Sequence, residues 1–145
     1  MRKLRVLTLI IGLLSIILGG SIYLFFRSET LLMFGWLKSM GIYDTISAMR
    51  TETCDGGWLI YSLPDGLWLF SYILIMAALW SFDVRKTMLY SAPLVIIAIG
   101  SELLQLPHLI SGTFDVIDLL CYIGASIFGF VYVKIIINFL KRNKL

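Results

Sequence analysis

Four long apolar runs, separated by short polar stretches, dominate the pattern of hydrophobic and polar residues along the chain. Roughly 20 apolar residues are enough for a helix to cross about 30 Å of hydrocarbon. The pattern therefore predicts transmembrane helices at residues 6–26, 64–82, 88–106 and 115–140. Pro64 suits the first turn of the second helix, Pro93 predicts a kink in the third, and Thr113 is a candidate N-cap for the fourth.

The stretch between the first two runs, residues 27–63, is too mixed to cross a membrane. Residues 30–42 carry Leu32, Trp36 and Met40 at helical spacing, which is typical of a helix lying in the membrane interface. Residues 42–50 predict a second short helix, and residues 54–57 a turn. Aromatic residues of this region fit a belt at one membrane surface: Trp36, Tyr43, Trp58 and Tyr61.

Composition agrees with a membrane protein. The 145 residues are 59% hydrophobic and only 14% charged, whereas soluble domains carry about 45–50% apolar and about 25% charged residues. The sequence predicts an all-α integral membrane protein with a single domain, residues 1–145, of four transmembrane helices plus an interfacial segment. The basic residues sit at helix ends, so the pI near 9 does not point to nucleic acid. Cys54 and Cys121 lack metal or redox spacing, and a disulfide between them is not expected.

The basic residues also predict the orientation. Placing both termini in the cytoplasm puts most of them on that side, which the positive-inside rule favours: Arg2, Lys3, Arg5, Arg85, Lys86, Lys141, Arg142 and Lys144. Only Arg27, Lys38 and Arg50 then lie outside. Gly12, Gly19 and Gly20 of the first helix are candidate points of close helix approach.

Acidic and amide side chains gather at the extracytoplasmic ends of the last three predicted helices. Asp65, Trp68 and Tyr72 follow i, i+3, i+7 spacing and share a helix face. Asp115, Asp118 and Tyr122 repeat that spacing on the fourth helix, and Glu102 and Gln105 are three apart near the end of the third. Ionised groups are costly in hydrocarbon, so these faces are expected to converge into one pocket. The eight predicted binding residues are Asp65, Trp68, Tyr72, Glu102, Gln105, Asp115, Asp118 and Tyr122.

Each acid also has a simpler interpretation. Asp65 and Asp115 lie in first helical turns, where the helix dipole favours an acid. Glu102 lies near a helix C-terminus, where the dipole disfavours negative charge, so it needs a partner, a proton or a cation. Glu102 and Asp118 are therefore the candidate catalytic or site-organising residues.

The remaining polar groups leave alternatives open. Tyr72 and Tyr122 are candidate donors to the carboxylates, and Trp68 is a belt residue or packs on a ligand. His108 is interpreted as a surface residue. Several carboxylates and one histidine could hold a divalent cation, but no tight ligand motif is present, so neither a metal nor a cofactor is predicted.

The motif Glu102-x-x-Gln105, followed by residues 112–120 and a glycine-containing helix, resembles the VanZ-like family of small bacterial membrane proteins. Asp118 matches the family's later Asp, Gly129 its last glycine, and Asp65 its earlier Asp after a proline. Gly66, Leu69, Gly112-Thr113, Tyr122 and Ala125 stand where the family has other residues, as in a divergent member. The family is named for a protein linked to glycopeptide-antibiotic resistance, and the resemblance implies a bacterial cell envelope but no established reaction.

Three functions are compatible with these patterns. The leading hypothesis is a pocket that binds the head of an envelope amphiphile, an antibiotic or a partner membrane protein. The second is an intramembrane hydrolase or transferase that acts on a lipid-linked substrate, with Glu102 as general base. The third is a structural subunit whose acids only lock helix packing.

Overall fold

The computed structural model describes residues 1–50 and 57–142. Within these ranges the chain forms seven α-helices and no β-strand: α1 (Arg2–Phe26), α2 (Leu32–Ser39), α3 (Tyr43–Ser47), α4 (Trp58–Tyr61), α5 (Leu63–Leu79), α6 (Val84–Gln105) and α7 (Val116–Arg142). Three of them, α1, α6 and α7, are long and apolar enough to cross a membrane, and α5 is a shorter apolar helix. The all-helical fold is thus confirmed, with three helices that have the length and hydropathy of membrane spans. Cys54, Lys144 and most of the predicted turn at residues 54–57 lie outside the described residues.

Local hydrogen bonds set where the long helices begin. The Asp83 carboxylate accepts from the backbone N–H of Lys86 at 2.9 Å, so α6 starts four residues before the predicted position. The Asp115 carboxylate accepts from the N–H of Ile117 at 2.7 Å. The prediction of Thr113 as N-cap is therefore wrong, because Asp115 directly precedes the first turn of α7 and reaches its free N–H groups.

The central element is α5, which packs against α1, α6 and α7. It runs antiparallel to α1. A Cβ atom added to Gly12 would lie 3.0 Å from Ile75 Cγ1, and one added to Gly19 would lie 2.7 Å from Trp68 Nε1. Close approach at these two glycines is confirmed, whereas Gly20 faces open space. Small residues matter here because they let helix backbones come together where lipid tails supply no hydrophobic driving force.

Polar bonds fix the same antiparallel pair. The buried Ser71 hydroxyl donates to the Gly12 carbonyl at 2.7 Å. Near the start of α1, Arg5 donates through Nε to the Ala78 carbonyl at 3.0 Å. Each donor would otherwise lack a partner between the helices, so the two bonds hold α5 to the first half of α1.

An apolar core lies at the end where α1 begins and α7 finishes. It contains Ile73, Ala77, Phe82, Val133 and Leu140. Away from this core, the outer faces of α1, α6 and α7 carry many exposed large apolar side chains, the surface expected against lipid.

The segment after α1 folds back on the end of that helix. On α2, Phe34 is fully buried while Leu32, Trp36 and Met40 are exposed on the other side. The Arg50 guanidinium lies 4.5 Å from the Phe34 ring centre and donates to the carbonyls of Leu24 and Arg27. The sequence predicts only that Arg50 lies on the extracytoplasmic side. In the structure its side chain is 9% exposed, because the last carbonyls of α1 need donors.

Candidate functional site

Asp65 occupies the first turn of α5, directly after Pro64, and is half-buried. The Tyr23 hydroxyl donates to Asp65 Oδ1 at 3.1 Å. Arg27 in turn donates from Nη2 to the Tyr23 oxygen at 2.9 Å. Asp65 is therefore linked through one phenol to a cation at the end of α1. Helix capping, the simpler interpretation of this acid, does not account for these side-chain partners.

Sequence reasoning missed the contribution of α1. The Arg27 guanidinium lies 4.6 Å from the centre of the Tyr23 ring and 5.1 Å from that of Tyr61. Its buried Nε has no hydrogen-bond partner within residues 1–50 and 57–142. Two features of the sequence indicate this contribution. Tyr23 and Arg27 are four residues apart, which places them on one helix face, and the predicted topology brings that end of α1 beside Asp65.

Glu102 is only 4% exposed, and its Oε1 accepts from the backbone N–H of Asp115 at 2.8 Å. The bond joins the last turn of α6 to the start of α7. A carboxylate is favoured there, because a helix N-terminus presents unpaired N–H groups and a partial positive charge. The partner that Glu102 was expected to need is thus the next helix.

The two acids at the start of α7 differ in their exposure and in their hydrogen-bond partners. Asp115 is exposed and caps the start of α7, in agreement with the interpretation of this acid as a helix-capping residue. Asp118 lies one turn deeper and is half-buried, and its Oδ1 is buried without a hydrogen-bond partner in the described part of the chain. Such a group is costly to leave unpaired, so capping does not explain Asp118.

Asp65, Glu102 and Asp118 come together as one acidic cluster, contributed by α5, α6 and α7. The negative charges of Asp118 and Glu102 both act on Asp65. All three carboxylates also act on the Tyr122 hydroxyl, which lies one turn after Asp118. Asp65, Glu102 and Asp118 are therefore near enough for their charges to act on common groups, Asp65 and Tyr122.

Gln105 and His108 shape the connection that follows α6. A Cβ atom on Gly112 would lie 2.7 Å from the Gln105 amide carbon, and Gly112 has a φ of 133° that other residues rarely adopt. Gln105 thus packs on the connecting loop. His108 is exposed, with a left-handed backbone (φ 58°), and its N–H closes the end of α6 on the Gln105 carbonyl at 2.9 Å.

Two aromatic residues of α5 flank Asp65. Trp68 stacks on Tyr23 with ring centres 4.8 Å apart. The Tyr72 hydroxyl donates to the Tyr90 carbonyl at 3.1 Å, so the expectation that it donates to a carboxylate is wrong. Tyr72 lies nearly two turns deeper than Asp65, where an α6 backbone carbonyl one turn before Pro93 is within reach.

A cleft of about 450 Å³ opens beside these residues. Its polar lining consists of Asp65, Trp68, Tyr72 and Tyr122, and its apolar lining of Ile16, Leu69, Ile75, Leu94 and Ala98. Half of the predicted binding residues thus line one cleft. The other four, Glu102, Gln105, Asp115 and Asp118, do not line it and lie at the end of α6 or the start of α7.

Within the described ranges, no group of three or more His, Cys, Asp or Glu side chains is arranged to hold a metal ion. The fold and the site define a helical membrane protein with an acidic cluster near one end of its helices. No protein-family model, no curated protein and no solved structure matches the chain. The resemblance to the VanZ-like family therefore stays a prediction.

Proposed function

We propose that this chain is a multi-pass cell-membrane protein that binds an amphiphile with a basic head group in the cleft beside Asp65. The observation that carries the proposal is the make-up of the cleft, which is apolar along most of its length and has a carboxylate at one end. Ligand sites commonly combine mainly apolar walls with a few placed polar groups.

The charge balance favours a basic ligand over an acidic one. Three carboxyl groups belong to the acidic cluster, and Arg27 offsets part of their charge, both directly at Asp65 and through Tyr23. Carboxylates inside a membrane protein need an opposite charge or hydrogen-bond donors. An ammonium or guanidinium group at Asp65 would supply both and would lie beside the face of Trp68, where a cation is also attracted to the ring.

The apolar lining favours a hydrocarbon chain on the same molecule. Ile16, Ile75 and Leu94 come from three different helices, α1, α5 and α6. Ile16 is exposed on the outer surface of α1, and Leu94 on that of α6. A ligand chain could therefore enter sideways from the bilayer while its head stays at Asp65.

The membrane arrangement we propose has four spans and both termini in the cytoplasm. Because α5 runs antiparallel to α1 from the level of Gly19 to that of Arg5, it returns the chain through the depth that α1 crosses. Positive residues at the ends of α1, α6 and α7 favour the cytoplasm for that side. A bacterial cell envelope and membership of the VanZ-like family belong to the same proposal and rest on the sequence motifs.

Cysteine labelling in intact cells tests this orientation. In a background without the native cysteines, cysteine at Ser28 or Ser111 is expected to react with a membrane-impermeant maleimide, because both positions are exposed beyond helix ends. Cysteine at Val84, at the start of α6, should react only after the cells are opened. Labelling of Ser28 and Ser111 from opposite sides would contradict the four-span arrangement.

Binding is tested with the purified chain in lipid nanodiscs, using quenching of tryptophan fluorescence by a brominated twelve-carbon amine. The brominated alcohol of the same chain length serves as the uncharged probe. We expect the amine to bind more tightly than the alcohol, and Asp65→Asn to weaken amine binding by about tenfold or more, since a charged hydrogen bond contributes roughly 1.5–3 kcal/mol. Asp118→Asn should act in the same direction.

The matched control is Asp44→Asn, which removes an exposed acid of α3 and should leave amine binding unchanged. Equal binding of amine and alcohol would overturn the proposal. So would an equal loss of amine binding in Asp44→Asn and Asp65→Asn, because general surface charge would then explain the effect.

A structural role for Glu102 is the second candidate, favoured by its bond to the Asp115 N–H. In the same preparation, Glu102→Gln is expected to lower the unfolding temperature while the preference for amine over alcohol persists. Glu102, the general base of the hydrolase or transferase hypothesis, does not line the cleft.

A further inference from the structure

A second cleft, of about 500 Å³, lies between α6 and α7 at the opposite end of the protein from the acidic cluster. It runs along the first turns of α6 and the second half of α7. Its apolar wall includes Met88, Phe130 and Ile137. Met88 is exposed on the outer surface, so the cleft continues into the part of the protein that faces lipid.

The polar lining of this cleft is basic. Lys134, Asn138 and Lys141 follow i, i+4, i+7 spacing on α7 and share one face. Both lysines are exposed. The nearby acid Asp83 caps α6 through the Lys86 N–H, a position in which its charge stabilises the helix start.

A buried hydroxyl without a partner also belongs to this lining. Thr87 is 1% exposed, and its Oγ1 makes no hydrogen bond in the part of the chain that the structure describes. Ser91, one turn further along α6, is likewise buried and without a partner. Leaving such hydroxyls unpaired costs free energy, which a ligand with acceptor oxygens at Thr87 would recover.

We propose that this cleft binds the head group of an anionic phospholipid. Phosphate oxygens accept from lysine, amide and hydroxyl donors alike, and basic pockets between transmembrane helices are a recurring place for anionic head groups. The acyl chains would lie along Phe130 and Met88. A free phosphate ion would leave that apolar wall exposed, so the source of the phosphate is the bilayer.

The test is native mass spectrometry of the full chain, released from nanodiscs that contain equal amounts of phosphatidylglycerol and phosphatidylcholine. We expect selective retention of one phosphatidylglycerol per chain. The double variant Lys134→Gln/Lys141→Gln should weaken retention by about tenfold or more. The control Arg2→Gln/Lys3→Gln removes the same charge near the start of α1 and should leave retention within about twofold.

Thr87→Val separates lipid binding from folding. Valine keeps the shape of the side chain but removes the hydroxyl, so retention of phosphatidylglycerol should fall by about threefold to tenfold. The stability of the lipid-free protein should stay level or rise, because an unpaired buried hydroxyl is gone. Equal losses in the two double variants, no preference for phosphatidylglycerol, or displacement of the lipid by millimolar inorganic phosphate would each overturn the proposal.

Discussion

Gly66→Leu is expected to separate α5 from α7 and to destabilise the protein strongly. A Cβ atom at Gly66 would lie 3.1 Å from the Cys121 carbonyl oxygen and 3.3 Å from Cys121 Cβ. The first of these is a backbone atom of a helix, which cannot move without shifting α7. Overpacking of a well-packed contact costs about 1–3 kcal/mol, and leucine adds three carbons beyond Cβ, so we expect the upper end of that range. Thermal unfolding in detergent, followed by circular dichroism, measures the loss.

The matched control is Gly124→Leu on α7, where an added Cβ meets no atom within 4 Å. This control should be neutral or slightly stabilising, since leucine is a strong helix former whereas glycine is roughly 0.8–1 kcal/mol less favourable than alanine in a helix. Gly66→Leu should also weaken binding of the basic amphiphile, because Gly66 adjoins Asp65 and the shift would move Asp118 away. Similar unfolding temperatures for the two variants would show that the close contact at Gly66 does not hold the helices together.

Arg50→Ala is expected to release α2 and α3 from the end of α1. It removes two charged hydrogen bonds to the carbonyls of Leu24 and Arg27, the contact with Phe34, and an ion pair with Glu29 whose atoms are 3.6 Å apart. Hydrogen bonds to charged groups contribute about 1.5–3 kcal/mol each. We therefore expect local opening of this segment to become easier by about 2 kcal/mol or more. Hydrogen exchange of the α2 and α3 amides in nanodiscs measures it.

Two further variants make this experiment specific. Arg50→Lys should protect the α2 and α3 amides from hydrogen exchange only in part. One ammonium group cannot reproduce the planar guanidinium, which reaches two carbonyls and stacks on a ring. Lys38→Ala removes an exposed cation of the same segment, which lies 4.5 Å from the Tyr43 ring centre, and should change exchange little. Unchanged exchange in Arg50→Ala would mean that α2 and α3 are held by the membrane surface rather than by α1.

The sequence predicted the elements of the fold better than their ends. Apolar runs located α1, α5, α6 and α7, since a long run of apolar residues has few other uses in a chain of this composition. The apolar pattern placed the start of α6 four residues too late. The true start depends on the hydrogen bond between the Asp83 carboxylate and the Lys86 N–H, which lies within a charged stretch. The N-cap of α7 was not predictable in the same way. Thr113 and Asp115 are both residue types that cap helices, and only the backbone path decides which one precedes the first turn.

The candidate site was predicted in part for a similar reason. Asp65, Glu102 and Asp118 are predicted to converge because charged groups avoid lipid, and Glu102 and Asp118 lie near enough to Asp65 for their charges to act on it. Their individual partners were not predictable. Glu102 bonds to a backbone N–H thirteen residues away, and Tyr72 bonds to a backbone carbonyl of α6. Backbone N–H and carbonyl groups occur at almost every position, so a pattern of residue types does not show which of them a side chain will contact.

By itself, the sequence determined that the chain is an all-helical protein with the hydropathy of a membrane protein, and that Asp65, Glu102 and Asp118 lie toward one end of the helices. Those properties follow from hydropathy and spacing, which are local. Only the tertiary structure decided that α5 is the central helix, that Tyr23 and Arg27 at the end of α1 join the acidic cluster, and that Asp65 lines the cleft while Glu102 does not. These depend on how helices far apart in sequence rotate and approach, which small residues such as Gly19 and Gly66 permit at single points of contact.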